Sequence, residues 1–519
     1  MNILSPEQRR GRLLLILLAA ALLSGYLVVE RRHMNADSLY YLIPARNFFE
    51  GRGLTYAGEP HTLFPPGYGF ISYPFYLFIG DFEWTGALVS MGAYLALIVL
   101  AYSVSRYLYQ DDSSLLAACW VAIAPVILWH SYQSLSDLVY AVLYISAYGL
   151  FLRIVTEQAT AARSLILGVL CGLLYLTRPE GLAVGGLSLL GLCVIAWRTT
   201  EFRFIGIFLP PLVLMVGAYI LFLHDAEGQW AISGKVRQNI IRDEYVEGKV
   251  ADYEDLSVGE FIQQQGWKYV QTTVTNLIQG TIQFFGINRH VFFVWGVIWA
   301  VFRLTCGRWL PDFQWDARST EVALVTLLFF VPIFAYPFFY IDYRFFIPHS
   351  VLVMIPTAFL CTRMLGEIHA AQKVRLLHAA MLLGLPVLVY AIFPFFQDTS
   401  LEAIYTEELL LWNSKLGGEW IADHVENPQE VMVASPGKAN VIAFYAAGKQ
   451  EHPFFFIDSE MTLAEIVDFM QMNRADYLVI ERNYQATNPA LWELWKNPEI
   501  AVGLHLLHQD PRFQVYELD

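Results

Sequence analysis

The ionisable residues of this chain gather at the ends of apolar stretches rather than inside them. Asp37 stands in HMNADSLYYLIPARNFFEGRGL (33–54), directly after the first such stretch. Asp137 closes the short loop WHSYQSLSD, and Arg178 and Glu180 lie in LTRPEGL. Asp342, Arg344 and His349 occupy YIDYRFFIPH, and Arg289 and His290 stand in NRH. A carboxylate can take a proton, and fixed cations can hold a developing anion. The set therefore fits acid–base chemistry beside an anionic group. Polar groups are costly in hydrocarbon, so their collection at span ends is informative. A transporter is expected to carry them nearer the midplane.

Each group also has a purely structural use. Asp37 and Asp137 are both placed to N-cap the helices that follow them. Arg178 and Glu180 could pair to close a turn, and Arg344 could snorkel to an interface. The Gly168-x-x-x-Gly172 spacing reads as helix packing. The aromatic run 65–80 reads as an interfacial belt.

The elements that must position these residues are membrane helices. The 519 residues are 56% hydrophobic and only 15% charged, with a mean hydropathy of +0.44. Soluble domains carry about 25% charged residues. Uncharged windows long enough to cross a hydrocarbon layer are expected at about 13–30, 84–105, 115–130, 137–155, 164–177, 181–197, 205–223, 290–305, 319–339, 345–362 and 376–396. The apolar run of the first continues through Val29, too long for the core of a signal peptide. The segment 65–80, PPGYGFISYPFYLFIG, is short and rich in Pro and Gly, and reads as re-entrant or interfacial. Within 33–54, Leu39, Leu42, Ile43, Phe48 and Phe49 fall on roughly one face of an interfacial helix that stops at Gly51-Arg52-Gly53.

Arginine and lysine placement sets an orientation. Arg9, Arg10 and Arg12 precede the first span; Arg106, Arg153, Arg163, Arg198, Arg203, Arg303, Arg308, Arg318, Arg363, Lys373 and Arg375 fall in alternate loops. These loops are expected on the cytoplasmic side with the N-terminus, and the segments 31–83, 225–289 and 397–519 outside. The residues from Asp398 onward hold 20 acidic and 7 basic side chains, −13 of the total −14. An acidic outer domain after a nearly neutral membrane region argues against nucleic acid and against docking on anionic lipid. That tail reads as a small α/β domain: EVMVASP a strand, NVIAFYAAGK a helix closed by Gly448, LAEIVDFMQMNRA a helix and DYLVIE a buried strand. The domains are thus expected as 1–396 and 397–519. The five cysteines lie in apolar windows without a C-x-x-C spacing and read as small buried hydrophobes. No internal repeat is evident, unlike the repeat-built transporters.

ADSLYYLIPARNFFEGRGL followed by FPPGYGFISYPFY, LTRPEGL and DYRFFIPHSVLVMIP resembles the GT-C glycosyltransferase superfamily. The branch is that of the bacterial protein O-mannosyltransferases and lipid A aminoarabinose transferases. GEWIADHV, AFYAAGK and DYLVIE are similar to the extracytoplasmic domain of such proteins. The resemblance implies a polytopic α-helical membrane protein with about 11 transmembrane helices and a C-terminal extracytoplasmic α/β domain. It is expected in the bacterial cytoplasmic (inner) membrane. It further implies sugar transfer from a polyprenyl-phosphate carrier on the extracytoplasmic face, with Asp37 matching the catalytic acid and Asp137 the second acidic position. Two departures stand out. Ser38 replaces the second acid that often follows the first, and Phe64 replaces a lysine before Pro65-Pro66.

Elementary chemistry agrees with that implication. Nucleotide sugars are not available outside the cytoplasmic membrane, and the chain has neither a P-loop nor a Rossmann glycine fingerprint. A sugar must then arrive already activated on a lipid. Direct displacement at the anomeric carbon inverts configuration and needs one base, in contrast to the carboxylate pair of retaining glycosidases. The phosphate leaving group needs cations, and the candidates are Arg344, Arg178, Arg46 and His349, with Lys235 and Arg237 from the loop 225–289. Tyr40 and Glu180 complete the expected substrate-binding set. A divalent cation is a possible helper, though the lack of an adjacent acid pair argues against a tightly held one. The acceptor is a lipid, a polysaccharide or a protein, and membrane lipids are the remaining partners. The competing readings are a lipid or solute transporter, a non-catalytic membrane scaffold, and a ligase or polymerase using diphosphate-linked glycans.

Overall fold

The computed structural model describes residues 4–228, 230–235, 258–311, 316–338, 341–371, 401–458, 460–482, 488–500 and 502–519. Arg237 and the expected span 376–396 lie outside these residues. Among them, eight helices are long and apolar enough to cross a membrane. They are α1 (Pro6–Arg31), α4 (Phe82–Tyr109), α7 (Asp137–Thr156), α9 (Gly181–Thr199), α10 (Arg203–Glu227), α13 (Arg289–Cys306), and the segments Ala317–Phe338 and Tyr343–Ala370, built on α14 (Ala317–Phe330) and α15 (Ile347–Ala370). Two shorter apolar helices, α5 (Ser113–Ile123) and α8 (Ala161–Thr177), stand where 115–130 and 164–177 were expected. Pro125 ends the first of these, and a further turn α6 (Pro125–His130) continues beyond it. The chain is a multi-pass membrane protein.

The stretch after α1 forms α2 (Ala36–Phe49), and the segment 65–80 forms α3 (Gly67–Ile79), at thirteen residues too short to span. Leu39, Leu42 and Ile43 of α2 are buried as their spacing predicts, whereas Phe48 and Phe49 are exposed and contact Phe70 and Tyr73 of α3. Gly69 permits this packing, because a β-carbon there would sit 2.2 Å from the Tyr41 carbonyl oxygen of α2. Gly168 of α8 similarly meets the backbone of α10 at Phe208. The packing reading of that glycine spacing therefore holds.

One expected segment holds more structure than its sequence showed, and one expectation needs correcting. The segment 225–289 contains α11 (Val258–Gln265) and α12 (Trp267–Ile287), a 21-residue helix leading into α13. Trp267, Val270, Val274, Ile278, Ile282 and Phe285 form an exposed apolar stripe along it. Its opposite face is held by Tyr269, whose hydroxyl donates to the Phe338 carbonyl at 2.7 Å, and by Asn276, which donates to Pro337 O at 3.2 Å. The interleaved Gln, Thr and Asn residues dilute the mean hydropathy, so the stripe appears only at helical period. The cysteines also divide: Cys171 and Cys361 are buried, but Cys193 is exposed on the outer apolar face of α9 beside Leu190 and Val194.

The C-terminal residues begin with α16 (Leu401–His424) and build a mixed five-stranded sheet. In addition to a small hairpin, β1 (Thr55–Tyr56) with β2 (Glu59–Pro60), the strands are β3 (Val433–Ser435), β4 (Phe454–Phe456), β5 (Tyr477–Glu481), β6 (Leu504–Gln509) and β7 (Phe513–Leu518). Their order is β4-β3-β5-β7-β6, with β3 parallel to β4 and β5, and β7 antiparallel to its neighbours. One face, with Val433, Val479 and Val515, packs on α16 and α17 (Ala439–Ala446). The other, with Ala434, Leu478 and Ile480, packs on α18 (Leu463–Asn473) and α19 (Pro489–Lys496). Burial on both faces explains why β5 reads as a continuous apolar run.

This unit docks on the membrane helices through α17, whose Val441, Phe444 and Tyr445 join the same apolar cluster as Leu39 and Leu42. A polar clamp flanks that contact. Lys415 Nζ lies 2.6 Å from Glu83 Oε1, and Lys449 Nζ lies 2.7 Å from Glu83 Oε2 and 2.8 Å from Asp81 Oδ2. The Tyr445 hydroxyl also donates to Glu83. Glu83 is fully buried, so its charge persists only because both lysines reach it.

Candidate functional site

Asp37 lies at the second position of α2, where it does not cap the helix. The cap is Asn35, whose side chain accepts from Asp37 N at 3.2 Å, while the Ser38 hydroxyl accepts from Asn35 N at 3.1 Å in a reciprocal capping box. This removes the capping reading of Asp37 and gives Ser38 a use: the position after Asp37 closes the helix end. The Asp37 carboxylate is free to point away from its own helix. It lies 3.4 Å from Arg344 Nη1, in a cleft where both side chains keep about a quarter of their surface or less.

Arg344 sits in a 3₁₀ turn, Tyr343–Phe346, capped by Asp342. Asp342 also meets the guanidinium, with Nε–Oδ2 2.9 Å. Asp342 thus caps the turn through one oxygen and pairs with the guanidinium through the other. Beside them, the buried Asp137 carboxylate accepts from Arg178 at 2.5 Å and lies 3.8 Å from His130 Nδ1. Arg178 reaches Glu180 at 3.6 Å and lies over the Phe345 ring at 4.6 Å. Asp137 therefore serves as an ion partner rather than a cap, and Arg178 pairs with Glu180 across its own turn, as that reading has it, while also holding Asp137.

Lys235 enters from the start of the segment that follows α10. Its ammonium lies 4.0 Å from the centre of the Phe64 ring. Position 64 is where the sequence lacks a lysine before Pro65-Pro66, and a lysine distant in the chain now occupies the space over it. Burial lowers the Lys235 pKa to about 8, with Asp37 pulling it up and Arg344 and Arg178 pushing it down. Burial raises the Asp37 carboxyl, but Lys235, Arg344 and Lys438 together outweigh that effect and hold it below the usual carboxylate range. Tyr40, one turn along α2, stacks on His61 at 5.4 Å and 9° and on Phe64 at 6.0 Å, walling the cleft. Burial drives His61 down to about 4, so that wall is uncharged at neutral pH.

The structure thus brings together Asp37, Asp137, Tyr40, Arg178, Glu180, Lys235 and Arg344. It leaves two candidates elsewhere. Arg46 is nine residues from Asp37, about half a turn out of phase at 3.6 residues per turn. It pairs with Glu451 at 3.5 Å and lies over Phe82, facing the C-terminal unit. His349 is fully buried within α15, its ring near Tyr336 and Phe330 and its Nε2 3.3 Å from the Tyr144 hydroxyl. His130 lies against Asp137 but was not among the sequence candidates, and Asp342, one of the acids singled out at the span ends, pairs with Arg344. Lys438, whose charge also acts on Asp37, follows Ser-Pro-Gly in an acidic tail, where nothing local marks it. No group of three or more His, Cys, Asp or Glu suited to a metal ion occurs among the described residues.

No family model and no curated protein matches the chain. Solved structures do. ArnT from Cupriavidus metallidurans bound to undecaprenyl phosphate is similar over 97% of both chains, at 14% identity and a TM-score of 0.55. The oligosaccharyltransferase of Archaeoglobus fulgidus in complex with zinc and sulfate matches 97% of this chain and 73% of its own, at 14% identity and a TM-score of 0.52. The archaeal oligosaccharyltransferase AglB from Archaeoglobus fulgidus, in complex with an inhibitory peptide and a dolichol phosphate, matches at 13% identity and a TM-score of 0.50, over 98% of this chain and 74% of its own. At these identities the likeness is one of fold alone: the chain shares the fold of ArnT and of the archaeal oligosaccharyltransferase.

Proposed function

We propose that this chain, which has the GT-C fold, is an inverting glycosyltransferase that takes its sugar from a polyprenyl-phosphate carrier. The observation that carries the reading is the Asp37 carboxylate, released from helix capping and set 3.4 Å from Arg344 with Lys235 close by. Solved proteins of the same fold hold undecaprenyl phosphate and dolichol phosphate, which supports a lipid phosphate as the donor's carrier. In this reading the acceptor hydroxyl loses its proton to Asp37 as its oxygen attacks the anomeric carbon. The bond from that carbon to the phosphate oxygen breaks, and the electron pair leaves with the polyprenyl phosphate. Arg344 and Lys235 meet the charge on that phosphate, being already oriented before it develops. A phosphate acceptor would need no proton removal, so Asp37 would then only orient it. We place the site and the C-terminal domain (397–519) on the extracytoplasmic face of the bacterial inner membrane, with the N-terminus inside, because the arginine-rich loops fall at the other helix ends.

Donor competition tests the reading. Purified protein given a polyprenyl-monophosphate sugar and a diphosphate-linked oligosaccharide should transfer only from the first. Transfer from the second alone would identify a ligase or polymerase, and transfer from neither, a transporter or scaffold.

The Lys235 pKa of about 8 gives a second expectation. A lysine lowered by burial loses its cation as pH rises through that value, so kcat/KM, which reports the free enzyme, should fall above about pH 8. Lys235→Arg, whose guanidinium stays charged, should remove this alkaline limb or shift it up by more than one unit. An unchanged limb would exclude Lys235 as its source.

A further inference from the structure

The C-terminal unit braces the wall of the cleft from outside. The loop from α17 to β4 carries Lys449, tied to Asp81 and Glu83, and two residues further on Glu451. The Glu451 side chain keeps only 14% of its surface exposed. Its Oε2 accepts from Asn47 Nδ2 at 2.9 Å and lies 3.5 Å from Arg46 Nη2, both in the last turn of α2. Its Oε1 accepts from Ala57 N, in the turn of the β1–β2 hairpin. Asn47 Nδ2 also donates to the Thr55 carbonyl oxygen at 2.9 Å. One carboxylate from the tail thus pins the hairpin to α2.

The hairpin needs such a tie. Its strands are two residues each, and a lone pair of strands is marginal in water even when longer. Its turn places Ala57 at φ +52° and Gly58 at φ +85°. Positive φ suits Gly58 but is unfavourable for Ala57, whose β-carbon crowds the backbone there. The bond from Ala57 N to Glu451 holds that residue in place. Tyr56, immediately before it, lies 4.9 Å from the Tyr40 ring, 6.2 Å from His61 and 6.3 Å from Phe454 of β4. His61 stacks in turn on Phe64 at 6.1 Å and 15°. Thr62, between these two in the chain, accepts from the Tyr219 hydroxyl at 3.2 Å. Its carbonyl oxygen would lie 2.7 Å from a β-carbon at Gly234, so the chain passes close against it just before Lys235. That approach sets Lys235 over the Phe64 ring. Direct contacts therefore run from Glu451 through the hairpin and the Tyr40–His61–Phe64 stack to Lys235.

We propose that Glu451 is a positioning residue of the transfer site: by fixing the hairpin it sets the aromatic wall of the cleft and, through Thr62 and Phe64, the place of Lys235. The C-terminal unit is then part of the transfer machinery. The proposal rests on the polyprenyl-phosphate reading above, in which Lys235 meets the donor's phosphate.

Two measurements on the full-length protein in detergent test it. Backbone hydrogen exchange in residues 54–64 should be about tenfold faster in Glu451→Ala than in wild type, and less so in Glu451→Gln, which keeps an acceptor for one of the two donors. With a polyprenyl-monophosphate sugar as donor, Glu451→Ala should lower kcat/KM about tenfold in the wild-type background and less than about twofold in Lys235→Ala, because its effect passes through that lysine. Unchanged exchange overturns the tie to the hairpin. Faster exchange with unchanged kcat/KM overturns the positioning role. An equal loss in both backgrounds overturns it too, since a general structural fault would not depend on Lys235. Absence of transfer from that donor by the wild-type protein, whatever the exchange shows, overturns the donor reading instead.

Discussion

Asp37→Asn is expected to abolish sugar transfer to a hydroxyl acceptor, lowering kcat by about 10²–10⁴-fold, the usual contribution of a positioned base. The substitution is nearly isosteric, and Asp37 makes no cap for α2, so the helix start closed by Asn35 and Ser38 should survive it. Membrane insertion, melting temperature and binding of undecaprenyl phosphate should therefore stay close to wild type. Loss of one negative charge beside Arg344 and Lys235 should, if anything, tighten the hold on an anionic lipid. The pairing of lost turnover with retained binding separates a base from a structural acid. Transfer at a tenth of the wild-type rate or better would remove Asp37 from the chemistry. A phosphate-bearing acceptor predicts the same retained turnover, so the assay needs a hydroxyl acceptor to be decisive.

Arg344→Ala is expected to cost about 10²–10³-fold in kcat, comparable to removing one preorganised donor at a developing oxyanion. It also has a signature in pH. The Asp37 carboxyl lies below its usual range because Lys235, Arg344 and Lys438 outweigh the effect of burial. Without Arg344 the burial effect is less opposed, the carboxyl pKa rises, and the base is protonated over a wider acidic range. The acid limb of kcat/KM should move to higher pH in the variant, while the alkaline limb, which belongs to Lys235, moves up or stays. Arg344→Lys should recover part of the rate, since it restores the charge but not the planar guanidinium that pairs with Asp342. An acid limb that does not move would mean that Arg344 does not control Asp37.

Much of this was readable in the residues. Long uncharged runs can only be buried or in lipid, so ten of the eleven expected spans stand as helices in the expected order among the described residues. Short apolar runs and helical patterning likewise gave β3, β5, α17 and α18 in the tail. The amphipathic α12 escaped because a window average mixes its two faces. The start of β4 (FFF) and the exposed alternation of β6 carry weaker signals, and their place in the sheet depends on partners far away in the chain.

For the site, the sequence determined which residue types stand at span ends, because the cost of charge in hydrocarbon forces them there. That was enough to single out Asp37, Asp137, Arg178, Glu180 and Arg344. Only the tertiary structure decided which partners each of them meets. Whether Asp37 caps its helix depended on Asn35 and Ser38 closing it first. Whether Arg46 shares its cleft depended on helical phase and on Glu451 drawing it to the other side. The arrival of Lys235 over Phe64 depended on a contact between segments far apart in the chain. Local patterning records the solvent a residue will meet; it carries no record of which distant side chain will complete its charge, and that pairing is what makes the cleft a site.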